Sequence, residues 1–117
     1  MLSLSLSEPY FSLIQSGLKT AEGRVYKNRF IKIKPGDIIE FRNDDKRFTV
    51  RVTTIDKFDS FYEMMENKMR DLLPNIINPD LTDDENYRNG VAVYREFFDE
   101  EQEKLGVISI GIDSNYS

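Results

Sequence analysis

The sequence predicts an α+β domain built around a small, mostly antiparallel β-sheet or β-barrel with flanking helices. Segments whose apolar side chains alternate with period 2, separated by tight turns, indicate strands. Three segments with helical spacing interrupt them, which gives the order strand, helix, three or four strands, two helices, strand. At 117 residues the chain fits a single domain, 1–117, that can bury a core without disulfides.

The first part of the chain is predicted to form a strand, a short helix and a second strand. Met1 to Leu6 alternates apolar and polar side chains. Ser7 is expected to cap a helix that carries Pro9 in its first turn, where the missing N–H costs nothing. Gly17 suits the left-handed position after the helix, and a strand is expected to begin at Lys19.

The central part is predicted to contain the turns and hairpins of the sheet. Residues 24–34 suggest a loop and a short strand, and Lys34-Pro35-Gly36-Asp37 is typical of a turn. Strands are expected over residues 37–42 and 48–54, on either side of a polar turn.

The second half predicts two capped helices and a closing strand. Ser60–Glu63 and Thr82–Glu85 match capping boxes, and Pro74 should end the first of these helices before a loop at 75–81. The second helix carries an apolar stripe, and a last strand is expected over Val107 to Ile112. The stripe consists of Tyr87, Val91, Tyr94 and Phe98.

Composition limits the chemistry available to the chain. It contains no Cys and no His, which excludes disulfides, thiol nucleophiles, thiolate or imidazole zinc sites and an imidazole base. Catalysis would have to use Lys, Tyr, Ser, Thr, Asp or Glu, and no metal or other cofactor is expected.

No apolar run approaches the roughly 20 residues that span a bilayer. We therefore expect a cytoplasmic protein without a membrane partner.

The charge is unevenly distributed along the chain. The net charge is −5, yet residues 18–51 hold ten Lys or Arg against five Asp or Glu, whereas residues 52–117 hold six against fifteen. This balance argues against a protein that coats DNA, which usually carries a basic surplus. A local basic face for a short RNA or a nucleotide remains one interpretation. The other is an acidic half that only keeps the domain soluble.

The segment from Gly17 to Arg24 holds the strongest candidates for a binding site. Period-2 alternation places Thr20, Glu22 and Arg24 on one face of the expected strand, directly after Lys19. A cation and an anion held together beside a hydroxyl could bind a small polar ligand, or could be a surface strand with a salt bridge. Two further candidates each have a functional and a structural interpretation. Tyr94 could face a cleft or only the core. A basic rim could bind a nucleic-acid backbone or protect a strand edge. The rim consists of Lys27, Arg29, Lys32 and Lys34.

Four stretches, taken in order, resemble the ASCH family, whose fold is the PUA-like β-barrel. The resemblance covers about Leu4 to Ile112, and its most specific part is the family's G-x-K-T-x-E-x-R pattern. The stretches are Glu8-Pro9-Tyr10-Phe11 with Gly17-Leu18-Lys19-Thr20-Ala21-Glu22-Gly23-Arg24, then Ile33–Phe41, Phe58–Phe61 with Leu73-Pro74, and Tyr94–Phe98 with Gly106–Ile110.

The resemblance implies a cleft between barrel and helices that binds RNA, a nucleotide or a modified nucleoside. The ligand-binding residues would be Lys19, Thr20, Glu22, Arg24 and Tyr94. One bacterial branch hydrolyses the N4-acetyl group of acetylated cytidine with a Lys, a Thr and a Glu. Here the Lys corresponds to Lys19, the Thr position holds Glu22, and the Glu falls near Pro79, with Asp80 as the nearest carboxylate. An amidohydrolase using Lys19 and Glu22 is therefore the alternative, and the oligomeric state stays open.

Overall fold

The structure, a computed structural model, describes residues 1–115, apart from the side chain at position 28. Its regular elements in this part of the chain include five strands, which form the sheet, and four helices. In order they are β1 (Leu2–Ser5), α1 (Tyr10–Gln15), β2 (Ala21–Val25), a 3₁₀ turn (Asn28–Phe30), β3 (Ile38–Asn43), β4 (Lys46–Phe58), α2 (Phe61–Leu72), α3 (Asp83–Arg95), α4 (Glu100–Glu103) and β5 (Val107–Asp113).

The five strands form one sheet in the order β1-β3-β4-β5-β2. The pairings β3–β4, β4–β5 and β5–β2 are antiparallel, whereas β1 runs parallel to β3. Parallel neighbours need a long connection, and here α1 and β2 supply it. The predicted α+β class is confirmed. The sheet, however, is mixed and curls into a half-barrel with β1 and β2 at its two ends, so the predicted barrel is open.

Two apolar clusters hold the sheet and the helices together. The first packs α1 against β1, β3, β4 and β5, and the second packs α2 and α3 against β2. Strand β5 contributes to both clusters, because Ile108 and Ile110 belong to the first and Val107 to the second. Burial of consecutive residues is expected for a strand covered on both faces.

Both segments predicted as capping boxes begin helices, but only Thr82–Glu85 forms the complete box, because the Glu63 carboxylate accepts from the Asp59 amide and not from Ser60. The Ser60 hydroxyl accepts a hydrogen bond from the Glu63 amide at 3.1 Å, and α2 begins at the next residue after Ser60. At α3, Thr82 and Glu85 bond reciprocally, each side chain accepting from the other residue's amide. α2 ends at Leu72, before the proline that was expected to stop it.

The predicted cap of the first helix is wrong. α1 begins at Tyr10, Pro9 occupies the N-cap position, and the side chain of Ser7 does not cap the helix. The carboxylate of Glu8 takes over this role by accepting hydrogen bonds from the amide and hydroxyl of Ser12 at 2.9 and 2.6 Å. Gly17 adopts the expected positive φ, +85°.

The structure also corrects one shorter segment. The short strand expected within residues 24–34 is absent from the described chain, where β2 ends at Val25 and a 3₁₀ turn follows. Ile31 is 54% exposed there, so its apolar side chain does not mark a buried strand face. Asp99, which is exposed, caps the short helix α4 by accepting a hydrogen bond from the Gln102 amide. No helix in residues 1–115 has the length and apolar character needed to cross a membrane.

We predict that Thr82→Ala destabilises the protein by about 1 kcal/mol, the usual loss for an N-cap side chain. The substitution removes the acceptor that satisfies the Glu85 amide. Urea denaturation followed by circular dichroism measures the change, with Thr82→Ser as the control that keeps the hydroxyl. Equal midpoints for the Ala and Ser variants would contradict the assigned cap.

Candidate functional site

A cavity of about 260 Å³ lies where the two ends of the half-barrel face each other. The segment after β1 contributes to one side, β2 to another, and the end of α3 with the following residues to a third. This volume is near the lower end of the range for small-molecule sites, about 300–1,000 Å³. The cavity has a charged end formed by Lys19, Glu22 and Arg24, and an apolar wall formed by Leu6, Tyr10, Leu73, Val93, Tyr94, Phe97 and Phe98.

Lys19 is buried at the charged end, with 2% of its surface exposed. Its Nζ donates a hydrogen bond to the Leu72 carbonyl and lies 3.4 Å from Glu22 Oε1. Leu72 is the last residue of α2, so the ammonium satisfies a carbonyl that has no partner within the helix. Burial lowers the pKa of Lys19, and the Glu22 carboxylate opposes that shift. Lys19 therefore releases its proton more readily than an exposed lysine.

Glu22 and Arg24 occupy the same face of β2, as the period-2 alternation predicts. Arg24 donates from Nε and Nη2 to Glu22 Oε2, at 3.1 and 2.8 Å. Its Nη2 also donates to the Ser5 carbonyl at 3.2 Å, which connects β2 with β1 across the opening of the half-barrel. Glu22 is 5% exposed, so its carboxylate lies buried between two cations.

The charged end keeps several unused hydrogen-bonding groups. An ammonium has three N–H donors, of which Lys19 uses two in its contacts with Leu72 and Glu22. Arg24 Nη1 has no protein partner among residues 1–115. The carboxylate of Glu22 retains room for about one more donor. The site thus offers N–H donors beside one acceptor, and within the described residues no group of three carboxylates is placed to hold a metal ion.

Tyr94 forms the boundary between the charged end and the core. It is 5% exposed, its ring stacks on Phe61 at 5.1 Å, and its hydroxyl reaches the backbone of Gly23. A Cβ at Gly23 would lie 2.7 Å from that hydroxyl oxygen, so the close approach requires glycine. Burial, and secondarily the charge of Glu22, raises the pKa of Tyr94 well above its ordinary value. Tyr94 therefore acts as a neutral hydrogen-bonding group.

Four of the five predicted ligand-binding residues line the cavity, and Thr20 does not. Thr20 precedes β2, and its amide and hydroxyl donate to the carbonyl and carboxylate of Asp71, at 3.0 and 2.8 Å. These bonds turn its side chain toward an exposed groove beside α2. Asp80, the carboxylate nearest the family's catalytic Glu by sequence, is exposed and also lies outside the cavity lining.

Two aromatic residues of the site were missed by the sequence prediction. Tyr10 and Phe97 meet edge to face at 6.4 Å, and both line the cavity. Phe97 is 52% exposed although it is a large apolar side chain. The sequence did contain a signal for Phe97, because two consecutive aromatic residues, Phe97 and Phe98, follow the predicted helix. Only one of the two can continue the apolar stripe that packs on the core, so the other must point away from it.

Among the similar solved structures, two cover nearly the whole chain. The crystal structure of hypothetical protein PH0355 is 38% identical, with a TM-score of 0.82, and covers 96% of both chains. The solution structure of protein PF0455 from Pyrococcus furiosus is 35% identical, with a TM-score of 0.74, and covers 99% of this chain and 98% of its own. Neither name states an activity, and no curated protein sequence matches significantly.

The family comparison agrees with the sequence pattern and with the fold. The model of the ASCH domain matches residues 4–113, which includes every strand except the first two residues of β1, and the whole charged end of the cavity. The chain belongs to the ASCH domain family.

Proposed function

We propose that the chain binds a nucleobase with an exocyclic amino group, as part of an RNA or a modified nucleoside, in the cavity at the half-barrel opening. One observation carries this proposal: a buried Lys19–Glu22–Arg24 network forms one end of a cavity whose opposite wall is aromatic. Polar groups that converge in a largely apolar cavity are typical of small-molecule sites.

The edge of such a base is complementary to the charged end. Cytosine and adenine each present an amino donor beside a ring-nitrogen acceptor, and a flipped base is read along this edge. The free acceptor position of Glu22 suits the amino group, and the remaining Lys19 N–H, 3.4 Å away, suits the neighbouring acceptor. The two free N–H groups of Arg24 suit a carbonyl or phosphate oxygen. In uracil a carbonyl oxygen replaces the amino group, and in the same orientation it would face the Glu22 carboxylate acceptor to acceptor.

The aromatic wall supplies the second half of the recognition. Phe97, half exposed at the cavity, and Tyr10 beside it offer apolar surface against which a planar base can stack. Stacking on an aromatic side chain contributes about 1–3 kcal/mol per base. A simple inorganic anion would use the charged end alone and gain nothing from this wall.

Hydrolysis of an N4-acylated cytidine is the second candidate. The burial that lowers the pKa of Lys19 favours it, because a general base or nucleophile must be able to lose its proton. The remaining groups support binding better. Glu22 stands at the position of the hydroxyl residue and is held by two cations, and Asp80 lies outside the cavity lining.

We predict that Lys19→Met and Arg24→Met each weaken binding of cytidine 5′-monophosphate by about 10- to 100-fold. Each change removes a charge-assisted hydrogen bond worth about 1.5–3 kcal/mol. Uridine 5′-monophosphate should bind more weakly than the cytidine and adenosine monophosphates to the unmodified protein. Calorimetric titration measures the affinities, and circular dichroism checks that each variant is folded.

Thr20→Val is the matched control, because it changes a neighbouring residue that faces away from the cavity. Its affinity for the monophosphate should equal that of the unmodified protein. Absence of binding for all three monophosphates at millimolar concentration would overturn the proposal. A loss of affinity in Thr20→Val as large as in Lys19→Met would do the same.

We also predict that the protein releases no cytidine from N4-acetylcytidine above the rate in buffer alone. Glu22 provides no hydroxyl nucleophile, and its carboxylate is already engaged by Lys19 and Arg24. Chromatography of a long incubation measures the product. Cytidine formed by the unmodified protein and not by Lys19→Met would establish the hydrolase instead.

A further inference from the structure

The segment of residues 27–34 carries a cluster of cations that the protein itself leaves unpaired. None of its four Lys and Arg side chains forms an ion pair within residues 1–115, whereas eight of the other twelve in the chain lie within 3.7 Å of a carboxylate. All four are exposed, and Arg29 lies over the ring of Phe30 at 5.3 Å. On a chain of net charge −5, this is a surface that attracts anions.

Two of these cations line a second groove. The groove has a volume of about 350 Å³ and is formed by Arg29 and Lys32 together with the first residues of β1 and β3. Its one acidic side chain, Asp37, accepts a hydrogen bond from the Lys34 amide at 3.0 Å. That carboxylate therefore stabilises the turn at residues 34–37.

The groove and the cavity lie at opposite ends of β1. Leu2 lines the groove and Ser5 lines the cavity, and three residues of strand span about 10 Å. The chain also connects the two sites directly, because Arg24 lies in the cavity and Arg29 in the groove. Between them runs the edge of β1 that is not paired with β3, where the backbone groups have no strand partner and Arg24 uses only the Ser5 carbonyl.

We propose that the groove binds backbone phosphates of a single-stranded RNA whose base occupies the cavity. This inference rests on the proposed function and extends it, because it makes the ligand a strand of several nucleotides and not a free nucleoside. Arg29 and Lys32 neutralise the phosphates next to the bound nucleotide. The backbone groups on the unpaired edge of β1 include donors and acceptors. They suit the ribose 2′-hydroxyls of nucleotides that lie between the cavity and the groove.

The charge distribution favours a short bound strand over general coating. Residues 52–117 carry a net charge of −9 and repel a polyanion, while residues 27–34 attract it. Only a strand that follows the path from cavity to groove gains both contacts. An acidic peptide would share the attraction to the groove and would lack a base for the cavity.

The test compares cytidine 5′-monophosphate with a six-nucleotide RNA that contains one cytidine, on the unmodified protein and on Arg29→Ala/Lys32→Ala. We expect the RNA to bind at least about tenfold more tightly than the monophosphate. The double variant should lose this gain while its affinity for the monophosphate stays unchanged. Because the double variant loses two phosphate contacts, the slope of log K against log [salt] for RNA binding should also become smaller in magnitude by about 1.4.

Arg88→Ala/Lys104→Ala is the matched control, because it removes the same charge from side chains that are 75% and 70% exposed and pair within their own neighbourhood. It should bind both ligands like the unmodified protein. Thermal unfolding of each variant checks that these surface changes leave the fold intact.

The outcomes separate this inference from the proposed function. If the RNA and the monophosphate bind equally, the groove plays no part and the inference fails, while the cavity remains a nucleotide site. If neither binds, the proposed function fails as well. Two further results would overturn the assignment of a single-stranded RNA. One is a DNA hexamer that binds more tightly than the RNA. The other is an inorganic polyphosphate or polyglutamate that displaces the RNA at equal charge concentration.

Discussion

The buried network of Lys19, Glu22 and Arg24 is the interaction on which the arrangement of this domain depends. Through Lys19 it holds the C-terminal carbonyl of α2, and through Arg24 it holds the Ser5 carbonyl after the curl of the sheet has brought β1 near β2. Removing a charge from water costs several kcal/mol even after relaxation, and this cost is offset only when every charge is paired. The carboxylate between two cations meets that condition.

The apolar structure around the network keeps its geometry fixed. The ring of Tyr94 stacks on Phe61, whose amide donates to Glu103 at 2.8 Å. The other oxygen of Glu103 accepts from Arg95 at 2.5 Å, so the short helix α4 ties the start of α2 to the end of α3. The position of the Tyr94 hydroxyl against the backbone of β2 is therefore set by contacts with three helices.

Local patterns predicted what depends on neighbours in the sequence. Alternation along β2 placed Glu22 and Arg24 together, and the Thr82–Glu85 box predicted the start of α3, because both follow from backbone geometry over a few residues. Thr20 departs from the pattern since it lies before the strand and bonds to Asp71, 51 residues away. The open half-barrel depends equally on distant contacts, and no local pattern contains these.

The network and the cavity together argue for a ligand more strongly than either does alone. A buried ion pair is weak evidence for stability, because apolar residues of similar volume often serve as well or better. If this network only joined β2 to β1, direct strand pairing would satisfy the same backbone groups and close the opening. The chain instead keeps the opening, retains unused N–H donors on Lys19 and Arg24, and exposes Phe97 beside them. A bound base would use these donors and cover Phe97 at the same time.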